Sequence, residues 1–98
     1  MKLRFSRAAE TDLAEAAAYY DEQFDGLGGR LIDEVEATLG RITAFPDAWQ
    51  PLSENTRRCR LQRFPYGVIY RVQGDEVLVL AVAHLHREPG HWRERREE

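Results

Sequence analysis

The apolar residues of this chain change their period near residue 46, and that change limits the folds open to it. Before it, Leu13, Ala17, Tyr20 and Phe24 recur at spacings of four, three and four, and Leu31, Val35, Leu39 and Ile42 repeat the pattern. Such spacing draws one apolar stripe along each of two helices. Ser6 can cap the first, Gly26 can end it in a left-handed turn, and the second begins near Leu27 or Gly28. Gly40 weakens the second helix, and Phe45 closes it before Pro46. Two helices joined by a tight glycine turn form an antiparallel hairpin.

After residue 46 the period is two. Residues 46–56, PDAWQPLSENT, read as a loop, with Trp49 tucked against the domain. In RRCRLQRF, Cys59 and Leu61 face one way and Arg58, Arg60 and Gln62 the other. VIYRV (68–72) is the next strand, QGD the turn, and EVLVLAVAHL (76–85) an almost unbroken apolar run suited to a central strand. KLRF at residues 2–5 alternates as well, with Leu3 and Phe5 on its buried side.

The expected fold is therefore α+β: a short N-terminal strand, a helical hairpin, then a three-stranded antiparallel meander, with the hairpin on one face of a sheet of about four strands. One core is expected, built on Leu13, Tyr20, Leu31, Val35, Leu39, Ile69, Leu78, Leu80 and Val82. The N-terminal strand joins that sheet beside a neighbour the sequence does not specify. Edge strands would offer unpaired backbone groups to a partner.

The 98 residues suit one domain over residues 1–98, with a charged tail from about residue 93 that frays. No stretch approaches the ~20 apolar residues of a membrane span, and the start has no apolar run of the length a signal peptide needs. The lone Cys59 excludes a disulfide framework within one chain, which fits a cytoplasmic protein.

Net charge is −3, which argues against a general nucleic-acid binder, but the charges are segregated. Six acidic residues and no basic one lie between Glu10 and Asp25; five arginines and no acidic residue lie between Arg57 and Arg71. Arginine without acidic partners suits an anionic ligand. The stretch HLHREPGHW (84–92) holds all three histidines. His84 and His86 share a strand face, but a transition metal needs three or four converging ligands, so no metal site is expected. His84 and Trp92 suit packing at the strand end. His86, able to titrate near neutral pH, and Arg87, able to hold a phosphate or carboxylate, suit an exposed functional rim. Tyr19 is the outer member of the Tyr19–Tyr20 pair and is free to meet a partner. Ser6 and Ser53 lack a nearby His/Asp arrangement, and DGLGGR lacks the preceding strand of a phosphate loop.

RRCRLQRFPYGVIYRV and VLAVAHLHREPGHW, with the hairpin before them, resemble the RelE/ParE family of toxins from bacterial toxin–antitoxin systems. The resemblance covers essentially the whole chain. It implies a small toxin that stops growth when free, forms a hetero-oligomer with an antitoxin that silences it, and carries no cofactor. RelE-like members cut mRNA on the ribosome; ParE-like members poison DNA gyrase and are not enzymes. Three cation positions of the RelE-like nucleases are matched by Arg58, Arg60 and Arg87. Their arginine at the start of the third strand corresponds to Gly67, and their C-terminal tyrosine falls near Trp92 or Arg93. A histidine at the end of the last strand, used by other nucleases of the family, corresponds to His86. The resemblance therefore favours the ParE-like activity, with a metal-independent ribonuclease or an inactive antitoxin-binding module as alternatives. Target or antitoxin contacts are expected at Tyr19, Arg58, Arg60, Arg71, His86, Arg87 and Trp92.

Overall fold

The structure, a computed structural model, describes residues 1–86. Its elements are β1 (Lys2–Phe5), α1 (Arg7–Gln23), α2 (Leu27–Ala44), β2 (Gln50–Pro51), β3 (Arg57–Arg60), β4 (Tyr66–Gln73) and β5 (Glu76–His84). The helices form the expected hairpin. The Ser6 side chain accepts from the Ala9 N–H at 3.1 Å and caps α1. Gly26, at φ 86°, supplies the left-handed turn between the helices. The helices then approach so closely at Gly28 that a β-carbon there would collide with the Ala17 carbonyl oxygen. Asp21 completes the turn by accepting the Gly28 N–H at 2.8 Å.

The strands form one sheet in the order β1-β5-β4-β3-β2. β1 runs parallel to β5, and every other pair is antiparallel. The N-terminal strand thus lies against the last one. Five strands replace the expected four, because Gln50 and Pro51 pair with Arg58 and Arg57 inside the segment read as a loop. A two-residue strand shows no alternation, and Pro51 at the sheet edge loses no ladder donor.

Most of the expected core is buried, but it forms two clusters rather than one. On the helix side Leu31, Val35, Leu39 and Ile42 meet Cys59, Val68, Tyr70, Val79 and Val82, with Leu13 and Tyr20 half-buried beside them. On the far side Ile69, Leu78, Leu80, Ala81 and Ala83 pack together with Leu52. The central strands bury both faces, which is why β5 is apolar almost throughout. Between Ile69↔Ala81 and Tyr70↔Val79 the β4–β5 register slips, leaving Leu80 as a bulge residue on the far side. Two other expectations need correcting. Phe24 is 70% exposed, because α1 ends at Gln23 and the extended backbone of Phe24 carries its ring off the stripe; Ala9 and Ala16 are buried on that helix instead. Leu3 is 42% exposed at the sheet edge, and only Phe5 of its strand packs on the helix-side core.

β1 covers β5 only as far as Val79, and α1 closes the edge beyond it. Ser6 donates its N–H to the Val79 carbonyl at 2.9 Å and its Oγ to the Leu80 carbonyl at 3.4 Å. Asp12 accepts the Val82 N–H at 3.0 Å. In the turn after β3 the Glu34 carboxylate accepts the N–H groups of Gln62 and Arg63, both at 2.8 Å. Edge donors that the sequence left open to a partner strand are thus partly satisfied by side chains within the chain. No described helix is long and apolar enough to cross a membrane.

Candidate functional site

β3 presents its arginines through simple alternation. Cys59, paired with Val68, points into the helix-side core, while Arg58 pairs with Ile69 and Arg60 with Gly67 on the far face. The Arg58 stem lies across the bare backbone of Gly67; a β-carbon built there would sit 2.9 Å from both its Cγ and its Cδ. Nη2 of Arg58 donates to Gln50 Oε1 at 2.8 Å, whereas its Nε is buried with no hydrogen-bond partner. Burial, and then the neighbouring charge of Arg60, pull the Arg58 guanidinium below its usual pKa. An arginine remains charged nonetheless. The Arg60 guanidinium is exposed at the strand end.

Beyond Arg58 the outer edge of β3 has no strand beside it, and a groove of about 470 Å³ opens there. Arg41, Trp49, Gln50, Arg58, Arg60, Leu61 and Gln62 line it. Arg41 reaches it from the last turn of α2, donating from Nη2 to Thr38 Oγ1 at 3.0 Å and to the Arg60 carbonyl at 3.3 Å. The Trp49 indole Nε1 donates to the Arg41 carbonyl at 3.4 Å, and Arg57 donates to the Trp49 carbonyl at 2.9 Å. No carboxylate is among the described lining residues. Burial raises the Cys59 thiol pKa behind this wall, partly offset by Arg41, so the thiol is a neutral core group.

The five arginines of residues 57–71 are therefore not one surface. Arg57 turns toward Tyr70 on the helix side, and Arg71, paired with Leu78, stands on the far face but outside the groove. Arg63 lines a second groove of about 600 Å³ with Tyr20, Leu27, Arg30, Asp33, Glu34, Phe64 and Pro65. That groove runs beside the hairpin. Its floor is aromatic, with Tyr20 edge-on to Phe64 at 5.1 Å, and its rim carries both signs of charge.

His84 and His86 lie on the other side of the sheet from Arg58. Tyr66 pairs with His84, their rings 5.2 Å apart, and Tyr66 packs on the helix-side core. The His86 ring sits 5.2 Å from that of His84, whose Nδ1 accepts the His86 N–H at 3.1 Å. Tyr20 and Tyr19 continue the ring contacts, with Tyr19 55% exposed. Burial first, and neighbouring phenols next, push the pKa values of Tyr20 and Tyr66 upward, so both stay neutral. No group of three or more metal-ligating side chains converges among the described residues. Arg87 and Trp92, together with the tail from residue 93, lie outside the described residues.

Sequence alternation thus located Arg58 and Arg60, and it missed Arg41, Trp49 and Gln50. Arg41 is the one basic residue in the last turn of α2. Its position beside Leu39 and Ile42 places it next to the buried stripe, which was the available signal.

The profile of the family described as "ParE toxin of type II toxin-antitoxin system, parDE" matches residues 3–89. Two curated relatives, both named Toxin ParE2, come from Mycobacterium tuberculosis strains CDC 1551/Oshkosh and H37Rv. Each is 36% identical over 87 residues, spanning 85% of this chain and 80% of its own length. Among solved structures, a chain described as "Chromosomal ParDE TA system from P. aeruginosa" superposes with a TM-score of 0.64. It covers 86% of this chain and 95% of its own length at 21% identity, a likeness of fold.

Proposed function

The chain belongs to the ParE toxin family of type II toxin–antitoxin systems, and we propose on that footing that it arrests growth by binding DNA gyrase, without cleaving RNA. One observation carries the choice between the two activities. The arginine pair stands on the far face of the sheet, and His84 and His86 lie on the helix side. Cleavage of RNA without a metal needs a base, cations and an acid around one phosphate. Here the Arg58 stem lies across the bare backbone of Gly67, and among the described residues no proton-transfer group lines the groove of Arg58 and Arg60. A surface of this kind binds an anionic partner and leaves its bonds intact. The toxin would act in the cytoplasm, where gyrase works.

Its antitoxin is proposed to lay an amphipathic helix in the groove beside the hairpin. The aromatic floor of Tyr20 and Phe64 takes the apolar side, and the rim of Arg30, Asp33, Glu34 and Arg63 favours a segment of mixed charge. Tyr19 stands exposed next to that floor. On the β5 edge a helix fits better than an added strand, because Asp12 already holds the Val82 donor there. Pulse-labelling tests the activity: with the chain induced alone in growing bacteria, thymidine incorporation should fall before methionine incorporation. Methionine falling first, within minutes, would refute the gyrase reading.

A further inference from the structure

We propose that the groove bounded by Arg41, Arg58, Arg60 and Trp49 is a binding site for single-stranded nucleic acid, with phosphodiesters on the arginines and a base against the Trp49 indole. The inference goes beyond the gyrase reading, because it concerns a strand bound by this chain alone.

The charge of the groove runs against that of the protein. The chain carries a net −3, yet three arginines meet in this groove with no carboxylate among its described lining residues. Their internal partners are all neutral: Thr38 Oγ1 and the Arg60 carbonyl for Arg41, and Gln50 Oε1 for Arg58. Donors are left over. Arg58 Nε is buried without an acceptor, and among the described residues the exposed Arg60 guanidinium has no hydrogen-bond partner. Two adjacent like charges without a counter-charge are relieved by an anion that accepts from both, and the planar guanidinium fork matches a phosphate.

Size and walls narrow the ligand. About 470 Å³ is nucleotide-sized and exceeds what a lone ion fills. Trp49 adds an aromatic wall, on which any base can stack, and Gln50 and Gln62 add neutral hydrogen-bonding groups. A chain of carboxylates would engage the arginines and gain little from the indole. The described lining contains no His, Tyr, Lys, Asp or Glu, so none of those residues is placed to move a proton, and the strand is held without being cut.

The test is a fluorescence-anisotropy titration of a short labelled oligothymidine with the full chain at stepped salt concentrations. Binding is expected at low salt. Arg58→Gln with Arg60→Gln should weaken it at least about tenfold and lower the log–log salt slope by roughly 1.4, or about 0.7 per lost contact. Trp49→Leu should weaken it about fivefold or more at unchanged slope, and Trp49→Phe should restore most of the loss. The pair Lys2→Gln with Arg7→Gln removes the same charge outside the groove and should leave affinity within about twofold. Urea midpoints establish that each variant is folded. The proposal is overturned by absence of binding at low salt, or by an equal loss in the outside pair. It is also overturned if duplex binds as tightly and ignores Trp49→Leu, if oligoglutamate displaces the strand as readily as unlabelled oligothymidine, or if the strand is cut.

Discussion

The Arg58 side chain fills the space that a side chain on Gly67 would need: the missing β-carbon would stand 2.9 Å from Arg58 Cγ and Cδ. The two positions sit on adjacent strands of the far face, so only one of them can present a side chain there. Gly67→Arg should therefore push Arg58 off the strand and cost about 1–3 kcal/mol of stability, as overpacking does. It should not confer cleavage of mRNA in a translation reaction. Urea unfolding and a cleavage assay on the same variant check both halves. Cleaved mRNA would mean that an arginine at residue 67 was the only part lacking.

Asp12 closes the β5 edge by accepting the Val82 N–H at 3.0 Å. Asp12→Ala leaves a donor unsatisfied at the helix–sheet contact and should cost about 1–3 kcal/mol. Asp12→Asn keeps an acceptor oxygen and should cost less. Hydrogen exchange at the Val82 amide reads this locally, speeding up in the alanine variant and far less in the asparagine one. Equal exchange in both variants would show that Asp12 does not hold that edge.

Tyr70 is fully buried, and its hydroxyl donates to the Pro46 carbonyl at 2.5 Å. Burial pushes its pKa up from 10.0 to about 12, against a smaller opposing effect of Arg57. Between those values the unfolded chain releases the phenolic proton and the folded chain keeps it. The folded state then binds more protons, so stability falls as pH rises. The contribution is fully present below about pH 10 and lost as pH approaches 12. Tyr70→Phe should be less stable than the parent at neutral pH and lose less between pH 10 and 12, as urea midpoints across that range would record. An unchanged alkaline slope in Tyr70→Phe would assign the loss to other groups.

Leu27 lines the aromatic groove at the start of α2 and is half-buried. Leu27→Glu places a charge in the apolar floor proposed for the antitoxin helix. It should weaken antitoxin binding at least about tenfold, the loss expected of a central apolar anchor. Co-expressed antitoxin should then fail to restore growth, while the variant alone arrests growth as the parent does. Full rescue by the antitoxin would place the contact elsewhere.

The hairpin was legible because its stripes follow strict helical spacing and Gly26 needs a conformation that other residues avoid. Phe24 misled because periodicity continues past the residue where backbone geometry ends the helix. β2 was hidden, since two residues carry no period, and its pairing rests on where Arg57 and Arg58 fall in space. The place of β1 was hidden too, because a parallel neighbour whose paired residues lie 74 positions further on, as Glu76 does from Lys2, leaves no local mark. At the site, alternation placed Arg58 and Arg60 on one face. It could not join them to Arg41 and Trp49, which come from a helix end and a loop that meet only at the open edge of β3. The same alternation was silent on His84 and His86: they share a face with each other, but which face depends on the β4–β5 register.

The central claim is that this chain stops gyrase by binding it and cuts no RNA. The most direct measurement is plasmid supercoiling by purified gyrase in the presence of the purified chain, with programmed ribosomes assayed alongside. Supercoiling should stop while ribosome-bound mRNA stays intact. Arg58→Ala with Arg60→Ala should need at least about tenfold more protein for the same inhibition, a penalty that narrows as salt screens the charges. Supercoiling that proceeds undisturbed while mRNA is cleaved would contradict the account.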